Sequence, residues 1–423
     1  MHSLSDKLLH PLDTLRRKIL NRLTPKDPHS VFLIPHFNGI ADGYDIINYR
    51  SDNVLCLFNG LLHDARYDDW TLNILYYDAS RLDDYRAHCL GHHPGRVNFV
   101  PSTDRRAYDR AFFHSAHVFT DHNYHWLRFR AKGQQIVCLN YFPGPFKDDY
   151  ISLPPAGKAR EKERRAINGS YDFQLSVSDL FSALLSKDCL LAYEKFVPLG
   201  YPRNDVFYAD NTSLKEAVLA ATGIRASRIV CYTPTHRDYE SSDRKMYDAA
   251  SAAVSRSVFG GDASELERMD QALEKADAIL VAKVHPSQET SVLSAARCRR
   301  VVLYSQLRQQ LTLSLNEILA VSDLLVTDYT SAVYDFLHAD KPVVYYFYDY
   351  EKYLSTRGLF INPIEPFCAG YMAYDFEALL QGIEACFRED FAADRRRWLR
   401  DLVLRHRDGQ SLQRVMDYFL PVE

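Results

Sequence analysis

The feature that most constrains this chain's fold is an alternation: short continuous apolar runs, separated by polar stretches of helix length, recur along most of the sequence. In the second half the runs are Ser227–Thr235, Ala278–Pro286, Arg300–Tyr304, Asp323–Asp328 and Pro342–Phe347. They place Val, Ile and Leu at successive positions, as strands covered on both faces do. Between them SELERMDQALEKA (264–276) and SQLRQQLTLSLNEILA (305–320) show helical periodicity. Such alternation builds a parallel, doubly wound sheet. The first half alternates less cleanly, with candidate strands Val31–Phe37, Asn53–Phe58, Leu72–Asp78, Val97–Pro101, His117–Asp121 and Gln135–Tyr141. The expected fold is α/β: two Rossmann-like doubly wound domains facing a central cleft.

A chain of 423 residues exceeds what one core supports, which agrees with two domains. The expected divisions are an amphipathic helix within 1–29, a first domain over 30–204, a second over 205–395, and a helix over 396–423 that returns to brace the first. Residues 143–170 turn to prolines and then a dense charge run, read as a surface excursion. Lys plus Arg (51) is balanced by Asp plus Glu (55), so no positive field attracts phosphate backbones and a nucleic-acid partner is not expected. The eight cysteines are scattered with no C-x-x-C pair, as buried thiols of a reducing compartment are. No apolar run reaches the ~18 residues of a membrane span, and the N-terminus lacks a secretory signal's order, so a cytoplasmic location is expected. Leu8, Leu12, Leu15, Ile19 and Leu23 recur at helical spacing among Lys7, Arg16, Arg17, Lys18 and Arg22. This face fits either the protein's own body or the anionic inner face of a membrane.

No G-x-G-x-x-G follows a predicted strand, and neither G-x-x-x-x-G-K-[ST] nor G-x-S-x-G occurs. Dinucleotide redox, P-loop and serine-hydrolase chemistries therefore lose their usual support. Attention moves to three strand ends in the second half: CYTPTHRD with Thr235, Arg237 and Asp238; VAKVHP with Lys283 and His285; and LLVTDYTSAVYDF with Thr327, Asp328, Thr330 and Ser331. Ligands of open α/β sheets bind outside the carboxyl ends of strands, so these sets are expected to converge. A helix opening at Thr330-Ser331 offers backbone N–H groups and hydroxyls to a phosphate or diphosphate. Arg237 adds bidentate contacts, and His285 a donor or a proton. Taken singly, each residue has a plain structural role as cap, hydrogen-bonded histidine or surface ion pair.

Taken in order, GYPRND (Gly200–Asp205), YTPTHRD (Tyr232–Asp238), KVHP (Lys283–Pro286), SDLLVTDYTSAVYDF (Ser322–Phe336), KPVVYYFYDYEKY (Lys341–Tyr353) with Arg357-Gly358, and RDGQS (Arg407–Ser411) resemble the CDP-glycerol glycerophosphotransferase family of teichoic-acid and capsule polymerases. The match covers roughly the last 220 residues well. Residues 116–147 match loosely and depart at one point. The family's Trp-His-Gly, whose histidine is proposed as catalytic, is replaced after Gly133-Gln134 by IVCLNYFPGPFK, with Asn140, Tyr141 and Phe142 and no histidine. First-domain candidates for the base are then His36 and Asp42 in PHFNGIADGYD, where a glycine turn explains the same residues.

The resemblance implies a GT-B-like fold, with the donor in the second domain and the acceptor in the first, and neither metal nor other cofactor. It implies attack by an acceptor hydroxyl on the β-phosphorus of a CDP-polyol, CDP-glycerol above all, with release of CMP. His285 and Arg237 would face the leaving phosphate. Thr235, Lys283, Thr327, Asp328, Thr330, Ser331 and Arg203 would bind substrate, with Asp328 orienting its neighbours. The acceptor would be a lipid-linked or polymeric glycan, with peripheral membrane contact. Two other readings stay open at this point: a CMP-sugar-dependent transferase of the sialyl or Kdo type, and a non-catalytic glycan-assembly subunit.

Overall fold

The computed structural model describes residues 11–36, 46–89, 95–121, 130–139, 170–188, 191–235, 259, 263–284, 298–356 and 358–422. Thirteen strands among them form two sheets. The first comprises β1 (Asp27–Ile34), β2 (Thr71–Tyr76), β3 (Val97–Pro101), β4 (Ser115–Thr120), β5 (Gln135–Cys138), β6 (Phe173–Leu175) and β7 (Phe196–Val197), in the order β3-β2-β1-β4-β5-β6-β7. The second comprises β8 (Arg228–Thr233), β9 (Ala278–Ala282), β10 (Val301–Leu303), β11 (Leu324–Thr327), β12 (Val343–Tyr346) and β13 (Tyr371–Ala373), in the order β10-β9-β8-β11-β12-β13. Every pairing is parallel. In each sheet the strand order reverses once, between β1 and β4 and between β8 and β11. Those reversals are where doubly wound sheets open a crevice. The continuous apolar runs behave as expected: β9, β11 and β12 are buried at every position.

Three predicted segments fold differently, the third being 396–423, where one helix is expected and parts of two, Ala393–Val403 and Ser411–Phe419, are found. Asn53–Phe58 is the first half of a helix, Asn53–His63, and not a strand. Asp52 caps it, accepting from Leu55 N at 2.6 Å, and eight of its eleven residues are buried. A helix covered on nearly all sides carries no 3.6-residue apolar stripe, so periodicity cannot separate it from a buried strand. Residues 305–320 form two helices, Tyr304–Leu311 and Leu315–Val321, instead of one. Thr312 adopts φ 52°, and Ser314 and Glu317 exchange side-chain and backbone hydrogen bonds in a capping box.

The C-terminal residues return to the first sheet as two helices, Ala393–Val403 and Ser411–Phe419. The second packs on Asn53–His63: an added Cβ at Gly60 would meet Leu412 and Met416 side-chain atoms at 3.0 Å. Tyr67 OH donates to Leu420 O at 2.9 Å, and Phe419 lies edge-on to Phe119 of β4. The GYPRND and RDGQS segments meet in this return. Asp205 accepts from Ser411 N and Leu412 N, both at 2.9 Å, and so caps the last helix. Gly200 (φ 84°) lies so close that a Cβ would stand 2.6 Å from Ser411 Oγ, and Gly409 (φ 69°) is crowded likewise by Tyr208. Both positions need glycine for conformation and for space.

The helix Pro11–Leu23 sits on the first sheet in an inverted sense. Its inward face is polar: Arg17 Nε donates to Asp109 at 3.0 Å, Asn21 donates to Gln134 Oε1 at 2.8 Å, and Lys26 beyond it donates to Asn21 O and Phe113 O at 2.6 and 2.7 Å. Leu15 (54%), Ile19 (47%), Leu20 (40%) and Leu23 (74%) are the exposed side, with Arg16, Lys18 and Arg22 exposed beside them. Among the described residues no helix is long and apolar enough to cross a membrane.

Candidate functional site

The switch point of the second sheet brings together those of the expected residues that are described. Thr327 at the end of β11 pairs in register with Thr233 at the end of β8. Their hydroxyls lie 3.1 Å apart, and Thr327 Oγ1 reaches Thr233 O at 3.1 Å. One residue beyond β11, Asp328 accepts from Thr235 N with both carboxylate oxygens at 2.9 Å and from Thr235 Oγ1 at 2.7 Å. Asp328 is 2% exposed. A buried carboxylate that accepts from both donors of one residue works as a clasp: it fixes the path of the chain leaving β8. It therefore orients Thr235 and has little to offer an anion. Lys283 continues β9, donating its N–H to Tyr232 O at 2.8 Å, so the third strand end lies beside the first.

Thr330 and Ser331 follow the clasp after Tyr329 and are half-buried. Ser331 occupies the cap position of the helix Ala332–Phe336 without capping it, and Thr330 Oγ1 accepts only a long contact, 3.4 Å, from Ala332 N. Both hydroxyls thus stay available to a ligand. The helix is five residues long, so its dipole adds little to what the hydroxyls and backbone N–H groups offer a ligand. Arg237 and His285, expected to complete this group, lie outside the described residues, as do Asp42 and the excursion at 143–169.

Arg203 stands at the junction of the two sheets. Its Nη2 donates to Asp335 Oδ2 at 3.0 Å, and Asn204 Nδ2 donates to the other oxygen at 2.8 Å. Asn316 Nδ2 donates to Asn204 Oδ1 at 2.7 Å, and Arg203 N donates to Asn53 Oδ1 at 3.1 Å. The guanidinium that the sequence directs to substrate is held by the Thr330–Asp335 segment of the second lobe. Arg50 and Glu317 pair across the same junction at 2.9 Å.

At the first sheet's switch point His36, just past β1, is half-buried, and its backbone N–H donates to Asp52 Oδ2 at 3.2 Å. Asp52 is fully buried, and burial pushes its carboxyl up to about 6 against the opposing pull of the Leu55 and His36 N–H groups and of Arg203. Next to it, Asn53 donates to Leu139 O, just beyond β5, at 2.8 Å. Asp121, also fully buried, directly follows β4 as Asp328 follows β11. Sequence reasoning missed both carboxylates. The signals were there: Ser-Asp-Asn before an apolar run is a helix cap, and Phe-Thr-Asp at 119–121 repeats Val-Thr-Asp at 326–328.

Comparison with known proteins places this geometry. The family model described as CDP-Glycerol:Poly(glycerophosphate) glycerophosphotransferase matches residues 82–420. The teichoic acid ribitol-phosphate polymerase TarL of Staphylococcus aureus is 27% identical over 295 residues, covering 69% of this chain and 48% of TarL. The teichoic acid glycerol-phosphate primase of Bacillus subtilis is 23% identical over 314 residues, 72% of this chain and 74% of the primase. This chain spans about half the length of TarL and of the related TarK. Among solved structures, the wall teichoic acid polymerase TagF superposes with a TM-score of 0.73 at 16% identity, over 98% of this chain and 95% of that one. A TagF crystal soaked with CDPG gives 0.71 at the same identity. The shared fold is GT-B-like, with two parallel-sheet α/β lobes. With the family model matching residues 82–420, from the helix after β2 through the whole second sheet to the last helix, the chain belongs to the CDP-glycerol:poly(glycerophosphate) glycerophosphotransferase family.

Proposed function

We propose that this protein transfers a polyol-phosphate unit, glycerol phosphate above all, from a CDP-activated donor to an acceptor hydroxyl. The product is a phosphodiester of a cell-surface polymer of the teichoic-acid or capsule kind, and CMP is released. The observation that carries this reading is the clasp of Thr235 by Asp328 beside the available hydroxyls of Thr330 and Ser331. It is an anion-binding arrangement at the switch point of a family member's second sheet. The names of the polyol-phosphate primases and polymerases among its relatives support the donor class.

In the proposed reaction the acceptor oxygen attacks the β-phosphorus and a new P–O bond forms. The bond to CMP breaks and its electron pair leaves on the CMP phosphate. The hydroxyl proton passes to a base in the first lobe, for which His36 and Asp42 are the candidates, with Asp52 fixing the backbone of His36. Thr330 and Ser331 donate to the phosphate oxygens. His285, Arg237 and Lys283 face the charge that grows on the leaving group, each such donor being worth about 3 kcal/mol in the transition state. Thr327 and Asp328 hold the strand ends in place. Incubation with radiolabelled CDP-glycerol, CDP-ribitol and CMP-sugars tests the proposal. Phosphodiester product with CMP release from a CDP-polyol is expected; consumption of a CMP-sugar alone would replace it with glycosyl transfer.

The proposed acceptor is a lipid-linked or polymeric glycan met at the cytoplasmic face of the membrane. The inverted helix Pro11–Leu23 supports that setting, because Leu15, Ile19, Leu20 and Leu23 are exposed among exposed basic residues. Leu15→Glu with Ile19→Glu is expected to weaken co-sedimentation with phosphatidylglycerol vesicles about tenfold, by adding charge to a face that otherwise buries apolar area. Binding to pure phosphatidylcholine vesicles equal to that on anionic ones would rule out the basic residues as attractors.

A further inference from the structure

The edge of the second sheet that holds the Thr235–Asp328 clasp carries another group, which the proposed transfer leaves without a task. Past β12 come Phe347 and Tyr350, past β13 comes Tyr374, and the turn Glu365–Phe367 carries Glu365 within electrostatic reach of both tyrosines. Phe347, 1% exposed, floors the group, with ring centroids 6.0 Å from Tyr350 and 6.1 Å from Tyr374. The two tyrosines stand at 90°, centroids 6.3 Å apart, and form a corner. Tyr374 is 49% exposed. Tyr350 OH reaches Asn362 Oδ1 at 3.5 Å, too long for a strong bond. Glu365 Oε2 is buried and has no hydrogen-bond partner. Burial, and the carboxylate of Glu365 after it, hold both phenols above their ordinary range, so both remain O–H donors.

A buried carboxylate oxygen without a donor is unfavourable, and Glu365 stands near enough to both phenols for its charge to bear on them, so a ligand that brings the donor would relieve it. A phosphate would be repelled by Glu365. A cation would suit the ring faces, but Arg395 already stands behind the corner, donating to Glu365 O at 2.7 Å and Cys368 O at 2.9 Å. A second positive charge there would meet repulsion. A neutral group rich in hydroxyls satisfies every element: its O–H groups donate to Glu365, the phenols bond its oxygens, and its C–H surface covers a ring. We propose that Tyr350, Tyr374 and Glu365 form a subsite for a neutral polyol or sugar unit. For the origin of that unit this rests on the transfer reaction proposed above. Adjacent strands lie about 5 Å apart, so β12 and β13 stand roughly 5 and 10 Å from β11. A unit held here is thus close to a phosphate held at Thr330 and Ser331, and is either the donor's own polyol or a hydroxylated unit of the acceptor.

Glu365→Gln and Tyr374→Ala, combined in the full chain, test the subsite. Retained CMP affinity in calorimetry identifies folded variant protein. A rise of about tenfold in KM for CDP-glycerol places the donor's polyol in the corner, and the same rise in KM for the acceptor alone places the acceptor there. If neither KM moves beyond about twofold, the subsite falls while the transfer reading stands. If the unaltered chain turns over no CDP-polyol, the transfer reading falls and the corner is read directly by saturation-transfer NMR with glycerol, ribitol and glucose. Signals present in the native chain and lost in the double variant uphold it. Signals absent from both or equal in both, or displaced by tetramethylammonium, overturn it.

Discussion

Asp328→Ala is expected to lower kcat/KM for the CDP-polyol by a factor on the order of a hundred to a thousand, the largest loss for any single described residue. The carboxylate holds Thr235 through its backbone N–H and its hydroxyl. Hydrogen bonds to a charged group contribute about 1.5–3 kcal/mol each, so alanine frees the chain leaving β8. That chain leads into Arg237, and a displacement of about 1 Å at a reacting centre costs roughly a hundredfold. Asp328→Asn keeps one acceptor oxygen but turns an amide N–H toward a donor, and an intermediate loss of about tenfold is expected. Steady-state CMP release checks both, with a urea midpoint for each variant to separate misplacement from unfolding. Turnover of the alanine variant within about threefold of the parent would remove the clasp from the mechanism.

The largest stability effect is expected at Asp335. Its two oxygens accept from Arg203 and Asn204, and the ion pair is nearly closed to solvent, with side-chain exposures of 10% for Arg203 and 7% for Asp335. Asp335→Ala removes the carboxylate paired with the buried guanidinium, at a cost of about 3–5 kcal/mol. Chemical denaturation should show the midpoint fall, with earlier loss of the contact between the two sheets. Removing both charges at once is a different experiment. Arg203→Met with Asp335→Leu deletes the unpaired charge together with the pair, and most of the lost stability should return. A double variant as unstable as Asp335→Ala would mean that the junction depends on Arg203 for more than its charge.

Five of the second sheet's six strands were legible because they are continuous buried apolar runs, whereas β13, with Met372 exposed, carries no such run, and the strand ends follow from chain order alone. Thr233, Thr235, Thr327 and Asp328 come together because β8 and β11 flank the switch point, a consequence of right-handed parallel crossovers. The first half was harder to read for a physical reason. Val54, Leu55, Leu57, Phe58, Leu61 and Leu62 are all buried, so the helix carrying them shows no polar face. Its cap, Asp52, was lost with it. The orientation of Pro11–Leu23 was hidden in another way. An apolar stripe is normally taken to face inward, and only partners 92 and 113 residues away, Asp109 and Gln134, reveal that Arg17 and Asn21 do so instead. The meeting of GYPRND and RDGQS depends on contacts 206 and 207 residues apart, which no local pattern encodes.

The return of Ser411–Phe419 to the first sheet has a consequence for biosynthesis. A nascent chain emerges from its N-terminus, and lobes usually close in that sequence. Here the Asn53–His63 helix lacks one of its walls, and Asp205 its two N–H partners, until residues beyond 410 have been translated. The lobe synthesised first is therefore completed last, after the whole six-stranded unit has left the ribosome, and through that interval its apolar seam is what a chaperone would meet.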